Sequence, residues 1–246
     1  MPRSTSTASS RSASAPRRLP DAGIATAVVA AAGSGSRLGA GGPKALVEVA
    51  GRPLLAWSLD ALAAAESVGL IVIAAPPGGE LALERLAGDA AHVVTGGATR
   101  SESVAAALAI AEGELVVVHD AARPLATSQL FDEVVSLLAS DPTADAVIAA
   151  APVPDTVKRT RGERLEVTET VDRDGLWAVQ TPQAFRAETL RRALDVSADE
   201  LTGATDDAML VERAGGKVLI HPSPAENLKV TTPHDLRVAE LLLRAR

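Results

Sequence analysis

From Ile24 onward the chain alternates between short β-branched runs and longer stretches with helical spacing. The apolar runs occupy residues 26–31, 70–74, 91–94, 115–119, 146–150 and 217–221. They are continuously apolar, as strands covered on both faces are. Between them, Leu55, Leu59 and Leu62 recur at i, i+4, i+7, as do Val104, Leu108 and Ala111; Leu236, Ala239 and Leu243 recur at i, i+3, i+7. Each row lays one apolar stripe along a helix. Start signals agree: Thr99 with Glu102 makes a capping box, and Thr232 stands as a cap before Pro233. The pattern predicts an α/β fold, a three-layer Rossmann-like domain around a mostly parallel sheet.

One segment breaks the rhythm. Residues 152–175 are polar, charged and rich in β-formers, with Arg161-Gly162 between two short runs. That predicts a β-arm projecting from the sheet. A ribbon so exposed is marginal alone, and it is expected to pack on a second copy of the chain. Residues 1–22 are different again: Ser, Thr, Ala and Pro with Arg3, Arg11, Arg17 and Arg18, and no acid before Asp21. Such a stretch offers too little apolar surface to offset its ordering entropy, which predicts an unstructured tail ahead of a domain at residues 23–246. Its Ser/Arg-rich character is that of a plastid transit peptide, but a loose extension on a cytoplasmic protein is the reading preferred.

Composition narrows the class. Of 246 residues, 47% are hydrophobic and only 2% aromatic, so the core must be assembled from Ala, Val, Leu and Ile. A formal net charge of −7 argues against a surface made to coat nucleic acid or an anionic membrane. Without cysteine, disulfide scaffolds, thiolate metal sites and cysteine nucleophiles are excluded. No apolar run is long enough to span a bilayer. His92, His119, His221 and His234 are scattered without metal-ligand spacing and read as strand-end, loop or surface residues.

The chemistry begins where the first strand ends. Ala31-Ala32-Gly33-Ser34-Gly35-Ser36-Arg37-Leu38-Gly39 leads on to Pro43-Lys44. A Gly-rich loop after the first strand of an α/β sheet lies where such sheets bind ligands. Its glycines let backbone N–H groups converge on an anion, and Arg37 and Lys44 add two full charges. A Walker A loop would need Gly-Lys-[Ser/Thr], but Lys44 follows Pro43 and precedes Ala45. A dinucleotide fingerprint would need a third Gly where Leu38 stands and an acid closing the second strand, where Ala75-Pro76-Pro77 stands; an oxidoreductase is disfavoured accordingly. What remains, Ala-Ala-Gly-x-Gly-x-Arg-Leu with a following Pro-Lys, resembles the signature of nucleotidyltransferases.

Further blocks specify the resemblance: Val118-His119-Asp120-Ala121-Ala122-Arg123-Pro124, Ala151-Pro152-Val153-Pro154-Asp155-Thr156-Val157-Lys158 and Thr170-Val171-Asp172-Arg173. Gly175-Leu176-Trp177, Gln180-Thr181-Pro182-Gln183, Thr205-Asp206-Asp207 and Asn227-Leu228-Lys229-Val230-Thr231 complete them. Over residues 24–245 the chain is similar to the 2-C-methyl-D-erythritol 4-phosphate cytidylyltransferase family, which transfers CMP from CTP in non-mevalonate isoprenoid precursor synthesis and releases pyrophosphate.

The resemblance implies roles. Arg37 and Lys44 would stabilise charge on the triphosphate, and Arg173 and Lys229 would position methylerythritol phosphate, with Arg173 carried in on a partner's arm. Ala31, Ala32, Gly33, Gly35, Gly97 and Ser103 would hold the cytidine nucleotide, with Asp120 at its edge. Asp120, Arg123, Thr156 and Thr181 would line the polyol phosphate side, with Thr205 nearby. The family implies a homodimer and Mg²⁺ held largely by CTP phosphates; no metal ligand in the chain is indicated. With the last helix ending near Arg246, a fused second enzyme is not expected.

Two departures stand out. Family members often carry an acid two residues before Arg100, where this chain has Ala98, and their Thr-Asp-Glu block is Thr205-Asp206-Asp207 here. Asp206 and Asp207 also suit a helix start with Thr205 as its cap. Trp57 and Trp177 read as packing residues, and Arg191 and Arg192 as a solvated face. His119-Asp120 as half of a hydrolase triad is disfavoured, since Gly-x-Ser-x-Gly is absent. The alternative substrate is a pentitol such as ribitol 5-phosphate; a non-enzymatic binding module would leave the Arg and Lys placement without purpose.

Overall fold

In the computed structural model, which describes residues 25–39 and 42–246, the first apolar run becomes β1 (Ala25–Ala30). Two 3-10 turns, Ser36–Leu38 and Lys44–Leu46, lead to the two-residue strands β2 (Glu48–Val49) and β3 (Arg52–Pro53) and to α1 (Leu54–Ala63). Then come β4 (Val68–Ala75), α2 (Glu80–Ala87), β5 (His92–Thr95), α3 (Arg100–Leu108), β6 (Leu115–Asp120), α4 (Ser128–Ser140) and β7 (Ala146–Pro152). An antiparallel pair, β8 (Val157–Arg161) and β9 (Glu166–Val171), forms the arm. The chain continues through β10 (Trp177–Arg186), α5 (Ala187–Leu194), α6 (Ala198–Thr202), α7 (Asp207–Arg213), β11 (Val218–Pro222) and α8 (Pro233–Arg244).

Seven strands build the main sheet in the order β11-β7-β10-β6-β1-β4-β5. Every pairing in it is parallel except those of β10, which runs antiparallel to both β6 and β7. Successive side chains of β1 point to opposite faces. Ala27 and Val29 join Leu55 of α1, Leu83 of α2 and Phe131 of α4, while Val28 joins Val104 of α3, Leu190 of α5 and Val211 of α7. The chain's two phenylalanines, Phe131 and Phe185, go one to each face, both wholly buried. Aliphatic burial does the rest, at about 1.5–3 kcal/mol per large side chain.

The topology puts a ligand site at one place. From β1 the chain winds outward through β4 to β5, then returns to start the other half at β6, beside β1. Loops leaving the carboxyl ends of β1 and β6 therefore diverge, opening a crevice at this switch point. A third apolar cluster, Val49, Leu54, Leu125, Val230, Ala239 and Leu243, docks α8 and the segment before it beside that crevice.

The expected strands lie within two residues of the observed ones, the Thr99–Glu102 capping box forms, and Thr232 caps α8 ahead of Pro233, closing a second box with Asp235 that the sequence reading did not name. The periodicity of residues 104–111 overran its helix: α3 stops at Leu108, and the chain turns before Gly113. Strand β10 was not among the apolar runs, because Gln180, Thr181 and Gln183 interrupt it. Thr205 does not cap α7. The cap is Asp206, whose carboxylate accepts the Met209 N–H at 2.9 Å, one residue later than expected. The tail, residues 1–22, lies outside the described residues.

Candidate active site

The loop after β1 is closed by its own backbone. Lys44 N–H donates to Gly33 O at 3.0 Å, which brings the far end of the loop back beside its start. Gly35 sits at φ +68°, where L side chains are strained, so the turn favours glycine; a Cβ there would also crowd Lys44 Cα at 3.3 Å. Arg37 and Lys44 thereby face one cavity of about 430 Å³. Its opposite wall is the start of α3. Thr99 caps that helix reciprocally with Glu102, and Ser103 Oγ donates to Thr99 O at 2.8 Å while accepting the Gly97 N–H at 3.1 Å. A Cβ on Gly97 would fall 2.3 Å from Glu102 Cβ, so this wall also needs glycine. Lys44 is half-buried; burial, together with Lys229 and Arg37 nearby, pulls its pKa down to about 8.

Asp120, the last residue of β6, organises the floor. Arg100 Nε stands 3.0 Å from its Oδ1, while Lys229 Nζ at 2.7 Å and Arg123 Nε at 3.9 Å share its Oδ2. Burial opposes the charge on Asp120, but the three cations outweigh it and hold the carboxyl well below its ordinary range. Its backbone N–H donates to Thr181 Oγ1 at 3.0 Å, and the same hydroxyl meets His119 Nδ1 at 3.0 Å. Between Val179 and Gln183 the β10 register slips against β7; such irregularities re-aim side chains, here at the end of β6. His119 is fully buried, edge-on to Phe131, and desolvation drops its pKa to about 3, so the ring is neutral.

A second cavity of about 460 Å³ adjoins the first, and Arg100, Asp120 and Lys229 line both. Arg123, Thr181, Thr205, Gln183 and Asp206 are among its walls. Arg123 is fixed by donating from Nη1 to Asn227 O at 2.7 Å, and Val230 N–H donates to Ala122 O at 2.8 Å. Those two bonds tie the Asn227–Val230 stretch, and with it Lys229, to the end of β6.

Every residue expected on the nucleotide side (Ala31, Ala32, Gly33, Gly35, Arg37, Lys44, Gly97, Ser103, Asp120) lines the first cavity. Arg123, Thr181, Thr205, Asp120 and Lys229 line the second. Thr156 and Arg173 line neither: both are exposed at the arm, where Arg173 donates to Pro154 O. Two residues gained no role from the sequence alone. Arg100 enters the sequence reading only as the position that locates Ala98, and Asp207 reads as a helix-start acid; their pairing is a tertiary fact. Trp57 packs as expected, donating to Val49 O with Arg52 over its ring.

The family model for 2-C-methyl-D-erythritol 4-phosphate cytidylyltransferase matches residues 25–245. The chain belongs to this family. An enzyme of that name from Gloeobacter violaceus is 41% identical over 226 residues, covering 89% of this chain and 96% of the relative. One from Deinococcus radiodurans is 45% identical over 216 residues, covering 88% of each. The crystal structure of the Thermus thermophilus cytidylyltransferase superposes with a TM-score of 0.74 at 35% identity, over 89% of this chain and 98% of that one. The chain is thus a nucleotidyltransferase, transferring CMP from CTP to 2-C-methyl-D-erythritol 4-phosphate in isoprenoid precursor synthesis. No helix among the described residues is long and apolar enough to cross a membrane.

Proposed function

We propose that the first cavity holds CTP, the second holds methylerythritol phosphate, and the reaction takes place where they join. The observation that carries this is the shared wall: Asp120, Arg100 and Lys229 belong to both cavities. An oxygen of the polyol phosphate attacks the α-phosphorus of CTP. A new P–O bond forms, the bond to the α,β-bridging oxygen breaks, and its electron pair leaves with pyrophosphate. A phosphate monoester is mostly dianionic at pH 7, so no general base is required of the protein. Its task is alignment and cationic stabilisation.

Arg37 and Lys44 neutralise the triphosphate, and backbone N–H groups of the Ala31–Gly35 stretch cradle it. Gly97 and Ser103 shape the wall for the base. Ser103 Oγ already has partners on the main chain, so its part is to hold the loop in shape. Because the loop is built from backbone, Ala98 in place of an acid is compatible with base binding. Lys229, aimed by Asp120, guides the attacking phosphate, with Arg123, Thr181 and Thr205 beside it.

Among the described residues, no group of three or more His, Cys, Asp or Glu is placed to hold a metal ion. Asp120 is the one carboxylate among the residues lining the first cavity, and cations already face it. This donor set fits Mg²⁺ carried on the nucleotide's own phosphates, with Asp120 the carboxylate at hand. When bound, the ion supplies neutralisation of phosphate charge.

The arm supports a homodimer. Leu165 and Val167 stand exposed on it, and Arg173, exposed at the arm and outside both cavities of its own chain, is placed to serve a partner's site. Residues 152–175 are then the dimer element of a domain at 23–246, in a cytoplasmic enzyme. Pyrophosphate release tests the substrate reading, with CTP–Mg²⁺ and each polyol phosphate offered separately. Turnover with methylerythritol phosphate and little with ribitol 5-phosphate is expected; the reverse preference overturns it.

A further inference from the structure

Arg100 and Asp207 form a pair that the chemistry above does not use. Asp207 is the first residue of α7, wholly buried, and Arg100 Nη1 stands 2.5 Å from its Oδ2. The same guanidinium reaches Asp120 Oδ1 through Nε at 3.0 Å. Arg100 is thus forked between two carboxylates on different elements, at the first position of the helix whose capping loop walls the nucleotide cavity. Burial works against its charge, but Asp207 and Asp120 together outweigh that and hold the cation above its ordinary range. The chain of contacts continues from Asp120 Oδ2 to Lys229 Nζ.

We propose that Arg100 and Asp207 are positioning residues for the transfer: by drawing the guanidinium away from Asp120 on one prong, Asp207 leaves Asp120 Oδ2 free to aim Lys229 at the attacking phosphate. The geometry explains the division of labour. A lone Asp120–Arg100 pair would favour a two-pronged bond using both carboxylate oxygens. Asp207 takes the second prong, so Asp120 keeps one oxygen for Lys229. A lysine at position 100 could not serve both acids at fixed angles. The pair also spans from the wall of the nucleotide cavity to the buried start of α7, directly after the Thr205–Asp206 wall of the polyol cavity.

The proposal rests on the substrate reading above, so wild-type pyrophosphate release with methylerythritol phosphate is measured first, where a failure of that reading would appear. The test is a double-mutant cycle on kcat/KM for methylerythritol phosphate at saturating CTP. Asp207→Asn, nearly isosteric, is expected to lower kcat/KM about tenfold (roughly the effect of 1.4 kcal/mol) and leave the KM for CTP within about twofold. In a Lys229→Met background the same substitution is expected to cost nothing further, because the group it acts through is gone. Arg100→Lys supplies a second route should Asp207→Asn not fold, and it should show the same silence in that background. Multiplicative losses in the double variant overturn the proposal. So does an Asp207→Asn protein with a lowered Tm and unchanged kcat/KM, which would make the pair structural only.

Discussion

Lys229 Nζ stands 2.7 Å from Asp120 Oδ2 at the seam between the two cavities, so a carboxylate at the end of β6 sets where a lysine from a distant loop points. The arrangement is asymmetric in charge. Asp120 faces Arg100, Arg123 and Lys229 and is nearly buried. Replacing it by Asn leaves three cations crowded without their common counter-charge. Breaking a buried pair from one side costs about 3–5 kcal/mol. Asp120→Asn is expected to lower Tm by several degrees; a melting curve superposable on wild type would contradict the hub.

The depressed Lys44 gives the activity a basic limb. Its cation is fully present well below pH 8 and is lost as pH rises through about 8, where it titrates in the free enzyme. Since kcat/KM reports the free enzyme's ionisations, kcat/KM for CTP should fall above that point. Lys44→Arg, whose side chain stays charged throughout, should remove the limb even if its rate is lower. A wild-type profile that stays flat to about pH 10 would show that Lys44 titrates like an ordinary lysine.

His119 makes the fold acid-sensitive in a definite window. The folded ring resists protonation down to about pH 3, while in the unfolded chain it takes a proton near its ordinary 6.5. The unfolded state therefore binds more protons between those values, so this contribution is complete above 6.5 and erodes as pH falls toward 3. The slope is about 1.4 kcal/mol per pH unit within the window. Stability curves at pH 7 and 5 should converge for His119→Gln relative to wild type. An unchanged pH slope in the variant would assign the acid sensitivity elsewhere.

Much of this was legible in the chain itself, for reasons that are local. The β-branched runs and capping boxes depend on neighbours a few residues apart, so strands and helix starts were readable. The Gly35–Arg37–Lys44 loop was likewise legible, because phosphate loops are made of backbone in one stretch. Asp207 was not: at the start of α7 it has the look of a solvated acid, and only tertiary packing buries it against Arg100. Strand β10 hid because its Gln180–Gln183 segment is polar for the site's sake, with Thr181 spent on Asp120 and His119. The cap shifted from Thr205 to Asp206 for a similar reason: both residues are good caps, and the local pattern cannot choose between them.

The arm yields a test that needs no structure. If Arg173 serves the partner's site, Lys44→Ala and Arg173→Ala are each nearly inactive alone. Mixed and allowed to exchange subunits, they form dimers with one intact site, and activity should return to about a quarter of the wild-type level. No recovery on mixing, with subunit exchange verified, would place Arg173 in its own chain's chemistry or outside it.

Cationic stabilisation of the transfer is tested most directly by the kcat of Lys44→Ala for pyrophosphate release from CTP–Mg²⁺ and methylerythritol phosphate, with folding checked by thermal melting. Loss of one preorganised donor is worth about 3–4 kcal/mol, so kcat should fall by roughly 10²–10³ at an essentially wild-type Tm. A folded Lys44→Ala protein that turns over near the wild-type rate would contradict it.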